Sequence, residues 1–197
     1  MKTPLLMGCL AIAIQVPGAH AQSSLPPAAA PVAAAISALP EEFKEQATVL
    51  GYGEGKSALV PLRKGAGPYV CLADDPSDER FHVACYHKSL EDFMARGRAL
   101  RAQKVANVDS VRFAEIDQGK LKMPAQPAAL YSLTGTPENV TAATGVVTGA
   151  RPLYVVYIPF ATPESTGLPA KAEPNQPWIM FPGTAKAHIM FVPRMSQ

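Results

Sequence analysis

Tyr69-Val70-Cys71-Leu72-Ala73-Asp74-Asp75-Pro76 and Phe81-His82-Val83-Ala84-Cys85-Tyr86-His87 frame a charged turn, and the best helical stretch of the chain, Ser89 to Gln103, follows at once. Tyr69 to Ala73 reads as a strand. Asp74-Asp75-Pro76-Ser77 is a strong turn signal, because Asp side chains bond the neighbouring backbone and Pro fixes φ. Ser89-Leu90-Glu91-Asp92 resembles a capping box with Asp in place of Glu. Leu90, Phe93, Met94, Gly97 and Leu100 then form one apolar stripe. Arg96, Arg98, Arg101 and Lys104 lie mostly off it, a basic face of the kind that is usually just solvated. A disulfide between Cys71 and Cys85 is expected to close the charged turn and anchor the helix.

That pairing follows from the N-terminus. Residues 1–21 read as a secretory signal: Lys2 is the positive n-region, Leu5 to Val16 is apolar but too short to span a bilayer, and Ala19-His20-Ala21 is a small-residue cleavage site. The mature chain is expected to start at Gln22, in a bacterial periplasm or outside the cell. A lipoprotein reading through Cys9 is the weaker alternative, because the apolar run before it is far too short. Cys9 leaves with the signal, and two cysteines in an oxidising compartment usually pair. Two thiolate metal ligands are the weaker reading, since the spacing is not C-x-x-C. No later stretch is long enough for a transmembrane helix.

The chain has 197 residues, 48% hydrophobic and 17% charged, which suits one packed domain. Its net charge of +2 is too small to imply a nucleic-acid partner or an anionic membrane surface. Residues 22–39 are rich in Ala and Pro and read as a flexible or semi-extended tether, with one helical turn near Val32–Ile36. The globular domain is expected over 40–197. Pro40-Glu41-Glu42-Phe43 starts a brief helix. Strands are expected at 48–52, at 58–62 with Pro61 marking an edge or bulge, and at 129–133. A buried strand is expected at 153–158. Val108 to Ile116 reads as a further strand. Thr162-Pro163-Glu164-Ser165 starts a helix that Gly167 and Pro169 stop. Trp178–Phe181 and Ala187–Val192 form a closing hairpin. The fold class is α+β, a mainly antiparallel sheet with one principal helix packed on one face.

The Cys71-x-x-Asp74-x-Pro76 block, the second cysteine Cys85, and the terminal Pro177-Trp178-Ile179-Met180, Gly183-Thr184 and Ala187-His188-Ile189-Met190 blocks resemble a group of uncharacterised exported bacterial proteins. The resemblance covers roughly the mature domain. It implies export and a single domain, and no activity.

Several residue groups invite a chemical reading. His82, Cys85 and His87 do not converge on one ion: on a strand the two histidines face opposite sides, and on a helix they lie well over a quarter-turn apart. Asp74, Asp75, Asp78 and Glu79 fit neither a D-x-D-x-D-G calcium loop nor a clear acid/base pair, and read as turn-formers. There is no G-x-S-x-G, C-x-x-C or H-E-x-x-H motif. Ser165, His188 and Asp75 form a catalytic trio only if the fold gathers them.

The sharpest candidate is the terminal hairpin. Pairing Phe181 with Ala187, the shortest closure of its loop, sets Met180 opposite His188 and Trp178 opposite Met190. Strand alternation then puts all four on one face. Two thioethers and an imidazole are a soft donor set suited to Cu(I), and a Trp ring can lie against a bound cation. In ligand chemistry, though not in fold, the set resembles the Met/His/Trp sites of periplasmic copper chaperones. The competing reading is an ordinary core face with a hydrogen-bonded structural histidine, and a one-residue slip would scatter the group. The sequence as a whole is most consistent with an exported, non-enzymatic binding or interaction module for an unidentified ligand or protein, with no cofactor. A periplasmic copper-binding protein and a hydrolase of unrecognised type are the alternatives.

Overall fold

The computed structural model describes residues 28–53 and 59–193. The expected signal, the cleavage site before Gln22 and residues 22–27 of the expected tether lie outside the described residues. Eight strands form one sheet: β1 (Thr48–Tyr52), β2 (Leu59–Arg63), β3 (Tyr69–Leu72), β4 (Phe81–His87), β5 (Ala128–Gly135), β6 (Arg151–Tyr157), β7 (Trp178–Met180) and β8 (His188–Phe191). Their spatial order is β2-β1-β3-β4-β5-β6-β8-β7. Every neighbouring pair is antiparallel except β1 and β3. The fold is therefore α+β with a mainly antiparallel sheet. Pro61 sits on the edge strand β2, opposite Leu50 where the register shifts, which spares the sheet a missing donor in its interior.

Alternation gives the sheet two faces. On one, Val49, Cys71 and Cys85 lie in a row across β1, β3 and β4, all fully buried. Helix α1 (Ala29–Ile36) packs on this row through Ala34 and Ala35, whose small side chains let the helix approach closely. Ala38 and Leu39, just beyond the helix, are buried there too, ahead of the brief helix α2 (Glu41–Lys44) that follows Pro40. This corrects the tether expectation for residues 29–39. The prolines fall before the helix and in its first turn, where a missing N–H costs nothing. The sheet beneath then supplies the burial that an isolated Ala-rich helix lacks. Gly145 completes the contact: its φ is +71°, and a Cβ there would stand 2.0 Å from the Ala30 carbonyl oxygen.

The other face carries α3 (Glu91–Ala102) and α4 (Val108–Asp117). Leu90, Phe93, Gly97 and Leu100 are buried as the stripe requires, while Met94 is half-buried. The strand expected over Val108–Ile116 is instead α4. Its β-branched residues set a weak preference, and packing of Phe113 and Ile116 into the α3 core overrides it. Ser89 is not the helix cap. A 3-10 turn, Lys88–Leu90, precedes α3, and His87 Nδ1 accepts the Ser89 backbone N–H at 3.2 Å. Nor is the basic face merely solvated: Arg96 binds both Glu115 oxygens and so ties α3 to α4. Strand β6 is not a buried run either, since Tyr154 and Val156 are exposed on the α1 side.

Arg112 joins these layers. It is 2% exposed, its guanidinium carbon lies 3.7 Å from the Phe93 ring centroid, and it pairs with Asp109. Gly97 is where Arg112 crosses α3, because a Cβ there would meet Nη1 at 2.7 Å.

Candidate functional site

The expected disulfide is present. Cys71 and Cys85 are cross-strand partners with Cα atoms 3.9 Å apart, and both are fully buried under α1. The bridge is an architectural element beneath a helix, with no access for a substrate.

The terminal hairpin has the expected register: Trp178 faces Met190, Ile179 faces Ile189 and Met180 faces His188. Strand β8 also pairs with β6, which sets Tyr157 beside His188 and Val155 beside Met190. Two cross-strand rows result, Tyr157–His188–Met180 and Val155–Met190–Trp178, on the α3/α4 side of the sheet. Met180, His188 and Met190 line a shallow groove of about 330 Å³ that runs along the uncovered part of this face past Leu153 and Ser132 to His82. Trp178 shares the face but does not line the groove.

His188 is 7% exposed and lies between two rings, Tyr157 at 4.9 Å and Phe181 at 5.7 Å between centroids. Its Nδ1 is 2.7 Å from the Lys186 carbonyl oxygen, which only accepts, so Nδ1 carries the hydrogen and Nε2 the lone pair. Burial pushes the imidazole below its ordinary pKa, and the Lys186 charge adds to this against the pull of the carbonyl bond. Burial thus favours the neutral imidazole. Burial likewise raises the Tyr157 phenol. Lys186 closes one end of the groove: its Nζ pairs with Asp109 at 2.8 Å and lies 4.4 Å from the Phe181 centroid.

The remaining candidates disperse. His82 and His87 point to opposite faces of β4, and Cys85 between them is bridged. Asp75 Oδ1 accepts from the Ser77 backbone N–H at 2.9 Å and Asp74 Oδ1 from that of His82 at 2.7 Å, so both carboxylates build the turn. Ser165 caps the short helix α5 (Pro163–Thr166) in a reciprocal pair with Thr162. With Asp75 following β3 and His188 on β8, three strands lie between the carboxylate and the imidazole, so the trio Ser165, His188 and Asp75 does not form. A larger cavity of about 570 Å³ opens between α3 and the β1 side of the sheet, lined by Tyr52, Leu72, Asp75, Arg98 and Arg101 among others. Arg98 is committed there to Tyr86 and Glu91, each at 2.7 Å.

Sequence reasoning missed Tyr157, Phe181 and Lys186 at the groove, and Asp109, which pairs with Lys186. Tyr157 carried a signal, its alternation with Val155 along β6. Asp109 carried none, because it reaches Lys186 across 77 positions of chain. Among the described residues no three His, Cys, Asp or Glu side chains gather to hold a metal. No protein-family model, curated protein or solved structure matches the chain.

Proposed function

We propose that this chain is an exported, non-enzymatic binding module whose recognition surface is the groove on the α3/α4 side of the sheet. The observation that carries the reading is the lining itself. Leu130, Leu153, Val155, Tyr157 and Met190 make a mainly apolar floor, with few polar groups placed along it, Ser132 and His188 among them. Apolar concavities with a few fixed polar groups are the usual form of small-ligand sites. Ser132 Oγ donates to the Leu153 carbonyl at 3.4 Å and makes no hydrogen bond to a base among the described residues, which favours binding over hydrolysis. The bridged cysteines and the signal-like N-terminus support an oxidising, extracytoplasmic location. Among the described residues no helix is long and apolar enough to cross a membrane.

Native mass spectrometry of the chain exported and purified from a bacterial periplasm tests this. The wild type is expected to carry a bound species that Leu153→Arg, a charge set into the groove floor, lacks at an unchanged far-UV circular dichroism spectrum. A wild type without any adduct, or an adduct indifferent to the substitution, overturns the reading.

A further inference from the structure

Three side chains with soft donor atoms, Met180, His188 and Met190, line the groove, with no carboxylate among the side chains that line it. Met180 stands directly across from His188, and Met190 follows two residues along β8 on the same face. Opposed Cβ atoms on antiparallel strands are about 5 Å apart, and positions two apart on one strand are about 6.6–7 Å apart. Methionine side chains are long and unbranched enough to bring both thioethers to one point beside the imidazole.

The state of His188 decides between a packing role and a ligand role. A histidine kept for packing uses its polar atoms internally. Here Nδ1–H is used on the Lys186 carbonyl, and Nε2 has no hydrogen-bond partner among the described residues. His188 itself lines the groove, and Nε2 does not count among the fully buried, unpartnered side-chain nitrogens and oxygens of the described residues. A ring N–H fixed on a backbone carbonyl leaves the opposite nitrogen as the one that can ligate, the orientation usual for metal-ligating histidines.

We infer that Met180 Sδ, Met190 Sδ and His188 Nε2 bind Cu(I). This deepens the groove-binding reading and rests on it, naming the ligand class on that surface. Two thioethers and one neutral imidazole select a soft monovalent ion over Mg²⁺, Ca²⁺ or Mn²⁺, which require oxygen donors. The Lys186 ammonium, which also lines the groove, repels a divalent ion more than a monovalent one. Trp178 shares the face but does not line the groove, and the inferred ligand set leaves it out. The aromatic shell is Tyr157 and Phe181, which flank His188 and restrict water at the site.

The test is an anaerobic titration of the disulfide-intact chain with Cu(I) against a chromogenic chelator. It is run on the wild type and on Met180→Leu, Met190→Leu, His188→Ala and Trp178→Phe. Met→Leu conserves volume and keeps the fold. One Cu(I) per chain is expected, bound tighter than micromolar. Each Met→Leu change is expected to weaken it by at least about 10-fold, the loss seen even for outer-shell partners. It should also remove one sulfur scatterer from the copper X-ray absorption spectrum. Trp178→Phe is expected to leave affinity unchanged. Wild-type binding of micromolar strength or weaker, or binding indifferent to both Met→Leu changes, overturns the copper site. Leu153→Arg leaves all three donors in place, so loss of its adduct with failed copper binding would retain the groove and discard only the metal.

Discussion

Asp109 accepts a hydrogen bond from Lys186 on one carboxylate oxygen, at 2.8 Å, and from Arg112 on the other. Burial alone would raise this carboxyl, but the two cations overrule it and hold it below its ordinary pKa. A depressed folded pKa contributes stability that is complete above the unfolded value of about 3.9 and is lost as pH falls through the lower folded value. Asp109→Asn removes that contribution and leaves the Arg112 charge, 2% exposed, without its carboxylate. The expected cost at pH 7 is about 3 kcal/mol, the low end for breaking a buried pair because Asp109 itself is partly exposed. Urea denaturation at neutral pH and in the acid limb checks both parts. The variant should lose stability at pH 7 and show a shallower decline below about pH 4. A cost under about 0.5 kcal/mol would place Asp109 among ordinary surface positions.

Helix α1 shows what an element gains from its surroundings. Its sequence, Ala29-Ala30-Pro31-Val32-Ala33-Ala34-Ala35-Ile36, has one apolar character all round and no acidic or basic residue to mark its ends. Nothing in it separates a docked helix from a spacer until the sheet row Val49–Cys71–Cys85 is in place to receive Ala34 and Ala35. A chain that begins at Pro40 is therefore expected to be substantially destabilised. Loss of Leu39 packing alone costs about 2–5 kcal/mol, and the strand row beneath α1 is newly wetted. Chemical denaturation of the truncated and longer chains measures this. Equal midpoints would restore the tether reading.

At the scale of the molecule, the Cys71–Cys85 bridge links adjacent strands 14 residues apart in sequence, at the centre of the half-sheet that α1 covers. By limiting the unfolded chain, a loop of this size contributes about 3 kcal/mol in the entropy model. Cys71→Ala/Cys85→Ala is expected to lower the unfolding free energy measured in guanidinium by that amount while the β4–β5–β6 pairing persists. A loss under about 0.5 kcal/mol would show that packing of α1 and the sheet holds the loop without the bond.

The fold class, most strands, the α3 stripe, the edge position of Pro61 and the hairpin register were legible because each rests on local rules. Strand alternation, β-branched content, helical spacing and loop length act within a few residues of one another, and Met180 against His188 follows from the shortest loop alone. The cysteine pairing was legible from the number of cysteines together with the expectation of export. Three things depended on contacts distant in sequence. Residues 29–39 became core because a sheet row stood ready to bury them. Residues 108–117 became a helix because α3 offered Phe93 and Arg96 as partners. The groove acquired Tyr157 because β8 pairs with β6, and Lys186, on the loop before β8, reached Asp109 of α4. Local preferences of a few tenths of a kcal/mol per residue yield to burial worth roughly 1.5–3 kcal/mol per large side chain. That burial is set by which surfaces meet, and no window of neighbouring residues contains it.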